Sequence, residues 1–137
     1  MHKLCWILSL FLFSQFAFAN TCPSIETLKK GDLSDWNFYD TDDNKPLSSK
    51  RIAQYKTDAV AFALAEWTSQ DREGTIHCLY HDKAGSDMEA YLAKNHVQLS
   101  SVKKFWYDVS GSQQCAAGMH ECEFKEIDTS ATHLAHN

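Results

Sequence analysis

The chain has 137 residues, 44% of them hydrophobic and 12% aromatic, with 13 basic against 18 acidic side chains and a net charge of −5. That length suits one domain able to bury roughly two-thirds of the surface its unfolded form exposes. The acidic balance excludes the electrostatic footprint of a nucleic-acid-binding protein or of one drawn to an anionic membrane surface.

Met1-His2-Lys3 is a short basic opening, Leu4 to Phe16 an apolar stretch with small polar interruptions, and Ala17-Phe18-Ala19 an A-x-A cleavage site. The pattern predicts a signal peptide over 1–19, cleaved on export. Loss of Lys3 then makes the mature chain one unit more acidic. The apolar run is short for a span of about 20 residues. Ala19-Asn20-Thr21 is not the small apolar lead-in that a lipid-modified Cys22 would follow. The longest later apolar run, Ala59 to Ala65, is too short to cross a bilayer. These features predict one α+β domain over 20–127, soluble and without a membrane anchor after cleavage. A polar, flexible tail over 128–137 follows it.

Along that domain, Cys22-Pro23-Ser24-Ile25-Glu26-Thr27-Leu28-Lys29-Lys30-Gly31 reads as a short helix. Proline sits in its first turn, lysines in its last and glycine just past its end. Trp36, Phe38 and Tyr39 suggest a strand, and Asp40 to Pro46 a loop. That acidic loop lacks the alternating oxygen ligands, glycine and distant glutamate of a calcium site. Ser48 caps a second short helix, with Ile52 and Tyr55 on one face.

Residues 58–68 are rich in helix formers, yet large and small side chains alternate with period two. The alternation favours a strand with Val60, Phe62 and Leu64 on one face and the alanines and Trp67 on the other. Ser69 to Gly74 reads as a turn, and Thr75 to His81 alternates again, completing a hairpin. Met88 to Val97 fits a third meander strand or a helix capped by Ser86 and Glu89, with the strand favoured. Phe105-Trp106-Tyr107, in a strand, puts Trp106 on one side and two rings on the other. The expected architecture is a small antiparallel sheet of about three to four strands, a meander, packed with short helices and stapled by two disulfides.

Cys5 leaves with the signal peptide, and Cys22, Cys78, Cys115 and Cys122 form an even set suited to an oxidising compartment. Of the three pairings four cysteines allow, loop-closure entropy favours Cys22 with Cys122 and Cys78 with Cys115. A bridge from Cys115 to Cys122 requires a loop between them, since a helical segment of that length advances about 10.5 Å. There is no C-x-x-C for redox exchange.

His77-Cys78-Leu79-Tyr80-His81 has the spacing at which a helix would bring both histidines to one metal ion. On a strand the two histidines lie about 13 Å apart with Cys78 facing the other way, so no chelate is expected. His120-Glu121-Cys122 has adjacent ligands that diverge, and His133 and His136 fall in the tail. No G-x-S-x-G, no H-E-x-x-H and no free thiol beside a base marks a catalytic centre. The expectation is therefore no cofactor, no metal and no enzyme activity. Surplus aromatics leave Trp106 and Tyr107 as candidate partner contacts.

The order Cys22-Pro23-Ser24, Gly31, Trp36, Phe62 to Trp67, Gly74-x-x-His77-Cys78-x-Tyr80, Trp106, Cys115 and Cys122-x-Phe124 resembles the small exported EirA-like proteins. These are associated with type IVB secretion in intracellular gammaproteobacterial pathogens. The resemblance implies a non-enzymatic periplasmic accessory protein that supports growth inside host cells, with other envelope proteins as partners and no catalytic residues to carry over. In that family the segment matching Val60 to Trp67 is richer in β-branched residues, and the alanines here depart from it. The rival expectation is a small hydrolase or inhibitor secreted outside the cell.

Overall fold

The computed structural model describes residues 20–70, 73–100 and 103–127. The signal peptide and the tail expected over 128–137 lie outside them. The elements in chain order are α1 (Ile25–Lys30), β1 (Asn37–Asp40), α2 (Ser49–Asp58), β2 (Ala61–Gln70), β3 (Glu73–His81), β4 (Ala90–Gln98), β5 (Tyr107–Val109), β6 (Ser112–Cys115) and β7 (Lys125–Glu126). All strands pair antiparallel in one sheet of order β1-β4-β3-β2-β6-β5, and β7 pairs the far end of β4. Among the described residues the protein is thus mostly sheet, with two short helices, rather than a meander of three to four strands packed with short helices.

The long strands were legible from their alternation. In β3, buried Ile76, Cys78 and Tyr80 alternate with half-exposed Thr75, His77, Leu79 and His81. In β2 a bulge between Phe62 and Leu64 shifts the register. Beyond it, Ala65 faces Cys78 and Cys115, where its small side chain leaves room for both sulfurs. The strand expected near 88–97 forms as β4 because it lies between β1 and β3, with Leu92 beside both Phe38 and Cys78. Its amides are satisfied by two neighbours, a gain that the capping box at Ser86 cannot match.

The extra strands are those without a hydrophobic signature. Ser112-Gln113-Gln114-Cys115 pairs with Tyr107–Val109 around Ser110 and Gly111, whose φ values of 49° and 88° suit the turn that a two-residue hairpin requires. Helix α1 starts two residues later than the proline suggested, because Ser24 is its cap and accepts from Thr27 N at 3.1 Å. Helix α2 starts at its expected cap, Ser48, and runs a further turn to Asp58.

Both helices contribute to the same side of the sheet. Leu28 of α1 and Tyr55 of α2 join Phe38, Ile76, Cys78, Tyr80, Leu92, Val97, Trp106 and Phe124 in one buried cluster. Tyr55 meets Phe38 and Tyr80 edge-on at centroid distances of 5.8 and 6.3 Å, a geometry favoured by ring quadrupoles. Tyr80 Oη donates to Pro23 O at 2.6 Å, which ties the N-terminal segment to the central strand. Trp67 packs against Gly74 and donates from Nε1 to Val97 O at 2.9 Å. A Cβ on Gly74 would fall 2.3 Å from that nitrogen, so only glycine fits.

Two disulfides form, but not in the pairing that loop entropy favours. Cys22 bonds Cys78, and Cys115 bonds Cys122. Position overrides loop length: Cys22 enters the core beside β3, and the Cys115–Cys122 segment is a loop rather than a helix, with a Cα separation of 5.6 Å at the bridge. All four sulfurs lie in the buried cluster. The bridges point to an oxidising, extracytoplasmic compartment. Among the described residues no helix is long and apolar enough to cross a membrane.

Candidate functional site on the open sheet face

Because side chains alternate along a strand, filling one face of the sheet fixes what the other presents. Opposite the core, the register sets Tyr39 beside Tyr91, Ala93 beside His77, His77 beside Glu66, Glu66 beside Gln114, and Gln114 beside Tyr107. The rung through Ala93 and His77 starts at Asn37 on β1 and crosses all six strands of the main path; Tyr39 and Tyr91 adjoin it one step along, and Tyr91 and Ala93 are themselves buried.

Its first half is aromatic. Tyr39 and Tyr91 lie 5.7 Å apart at 32°, and Tyr91 and His77 4.4 Å apart at 35°. Tyr91 Oη donates to Asn44 Oδ1 at 2.9 Å, which holds the stack from the β1–α2 loop. Its second half is polar. Gln114 Nε2 donates to Glu66 Oε2 at 2.8 Å, and Ser112 Oγ lies 3.4 Å from the same oxygen while donating to Val109 O at 3.0 Å. Glu66 Oε1 stands 3.9 Å from His77 Nδ1, and both side chains are 30% exposed.

Burial pushes the pKa of His77 below the ordinary histidine range, with the Glu66 charge opposing it. The imidazole is therefore neutral near pH 7. Burial also raises the Tyr91 phenol, as the nearby Tyr39 does to a smaller extent. The result is a fixed carboxylate flanked by neutral polar groups on one side and stacked rings on the other. Such a group accepts hydrogen bonds and balances a positive charge.

The expected contact residues separate. Trp106 is 8% exposed, belongs to the core cluster, and donates from Nε1 to Glu123 O at 3.2 Å. Tyr107 is 67% exposed and ends the open-face row on the edge strand β5. The H-C-L-Y-H motif lies on a strand, with Cys78 in its disulfide. His77 faces Glu66 and Tyr91, whereas His81 turns to Gly85 O at 3.1 Å and Asp87 at 3.3 Å. Among the described residues no group of three or more His, Cys, Asp or Glu side chains is placed to hold a metal ion.

Two concavities lie elsewhere. A groove of about 690 Å³ separates α2 from the β3–β4 turn, bordered by Leu47, Arg51, Val60, Asp87 and Met88. A smaller one of about 310 Å³ lies beside Trp106 and His120. Sequence reasoning passed over Glu66, Gln114 and Tyr91. The one available signal was Glu66 itself, a lone charge at the end of an otherwise apolar alternation.

The fold and site define a class: a disulfide-stapled, predominantly antiparallel sheet protein with one packed face and one face of ordered polar and aromatic side chains. No family model matches the chain, and no curated protein and no solved structure matches it.

Proposed function

We propose that this is a non-enzymatic accessory protein of the periplasm that binds another envelope protein through the open face of its sheet. The observation that carries this reading is the row from Tyr39 to Tyr107, whose side chains are positioned by register and by one another while both helices contribute to the opposite face. The leader pattern and the paired cysteines support the periplasm. A role in supporting a type IV secretion system and intracellular replication rests on the resemblance carried by Cys22-Pro23-Ser24, Gly74-x-x-His77-Cys78 and Cys122-x-Phe124.

The test is cross-linking in intact cells followed by affinity recovery, with Leu79→Asp and Tyr107→Ala on the open face and Lys29→Ala beside α2 as control. The expected result is a partner found in the periplasmic fraction, kept by the control and lost with both open-face variants. Equal recovery from all three variants overturns the open-face assignment. Protein found only in culture supernatant overturns the periplasmic one and favours the secreted hydrolase or inhibitor.

A further inference from the structure

We infer that the open face carries a seat for a guanidinium group, with Glu66 as its counter-ion, so that the partner presents an arginine side chain from a basic segment. The inference rests on the reading of this face as a protein-binding surface and adds the chemistry of what it binds.

Glu66 is half buried in the middle of the sheet, and two neighbours meet one of its oxygens. Gln114 Nε2 donates to Oε2 at 2.8 Å, and Ser112 Oγ, whose proton goes to Val109 O at 3.0 Å, touches the same oxygen at 3.4 Å. Oε1 faces His77 at 3.9 Å, too far for a hydrogen bond. A carboxylate offers about four lone-pair sites, and these neutral neighbours leave the charge itself uncompensated. Other charged side chains pair away from the row: Arg51 with Asp40, and Lys94 with Glu126, the Lys94 ammonium lying over Trp36. Among the described ion pairs, the one made by Glu66 is with His77.

The shape of the site selects among cations. The half-exposed His77 ring forms a wall beside Oε1, backed by the buried Tyr91 ring 4.4 Å away and tilted by 35°. A planar cation can lie along such a wall while forking onto the carboxylate, which suits guanidinium better than the compact ammonium of lysine. A divalent metal would need further oxygen or nitrogen ligands, and no third one is placed there among the described residues. The net charge of −5 favours a basic partner at longer range.

The probe is Nα-acetyl-L-arginine amide, titrated into the isotopically labelled mature protein at low salt, with the citrulline analogue as its uncharged isostere. The expected result is saturable shifts confined to Glu66, His77, Tyr91 and Gln114 with the arginine probe and none with citrulline. Glu66→Gln, which keeps the side-chain shape, should weaken binding about tenfold or more, as loss of a charged hydrogen-bond partner does. Asp87→Asn should leave it unchanged. Diffuse shifts over all acidic positions, or equal binding by Glu66→Gln, overturn the seat. If Glu66→Gln fails to fold, as shown by its amide spectrum, His77→Gln replaces it and should weaken the arginine probe alone.

The two proposals fail separately. A cross-linked partner lost with Leu79→Asp but kept with Glu66→Gln leaves the docking face standing and removes the guanidinium seat. Saturable arginine binding without any cross-linked partner does the reverse.

Discussion

The two faces of the sheet are made by alternate residues of the same strands, and they differ in what holds them. On one face Ile76, Cys78, Tyr80 and Leu92 are almost wholly buried beneath two helices and both disulfides. On the other, Thr75, His77, Leu79 and Glu66 are half exposed and fixed by lateral contacts, ring to ring and amide to carboxylate. The packed face draws its stability from area removed from water, at about 25 cal/mol per Å². The open face removes less area from water, and its side chains are held chiefly by one another.

Breaking the packed face should cost most. Replacing Cys22 and Cys78 together by alanine frees a loop with a sequence separation of 56, and chain entropy sets the loss at about 4 kcal/mol. The same change at Cys115 and Cys122, separated by 7 residues, should cost about 2.5 kcal/mol on that model. Denaturant titration of both double variants measures the difference. Equal losses would mean that strain or packing, rather than loop length, governs the bridges.

Trp106 and Tyr107 sharpen the contrast within one dipeptide. Trp106→Ala removes a buried indole and should lower stability by about 3 kcal/mol. Tyr107→Ala, at a site 67% exposed, should change it by less than about 0.5 kcal/mol. Urea midpoints of the two variants decide this, and a large loss from Tyr107→Ala would show that β5 is part of the packed structure.

The smallest effect concerns pH. His77 has a depressed pKa in the folded protein. Its contribution to stability is therefore complete above the unfolded value of about 6.5 and is lost as pH falls through the folded value. His77→Gln should flatten the stability profile across that window and leave it unchanged above. An unaltered profile would show that the imidazole is as well solvated in the folded protein as in the unfolded chain.

The contrast also explains what was readable. Strands β2 and β3 carry enough apolar alternation to declare themselves and Ser48 marks where α2 begins, whereas the segment of β4 fits strand or helix and the cap of α1, Ser24, lies past the proline that suggested its start. Strand β6 does not declare itself, because Ser112, Gln113 and Gln114 have no hydrophobic face, and its place depends on hydrogen bonds to β2 and β5. Tyr91 and Glu66 are far apart in sequence, and only cross-strand register places them on either side of His77.

The sequence by itself determined an acidic chain, four cysteines in a bridge-forming set, two short helices with the cap of the second, and the alternation of β2 and β3. These are local properties of composition and period. Tertiary structure decided the disulfide partners, the number of strands and the row beside Glu66. Each depends on which segments lie side by side, a question of long-range pairing that no local pattern encodes.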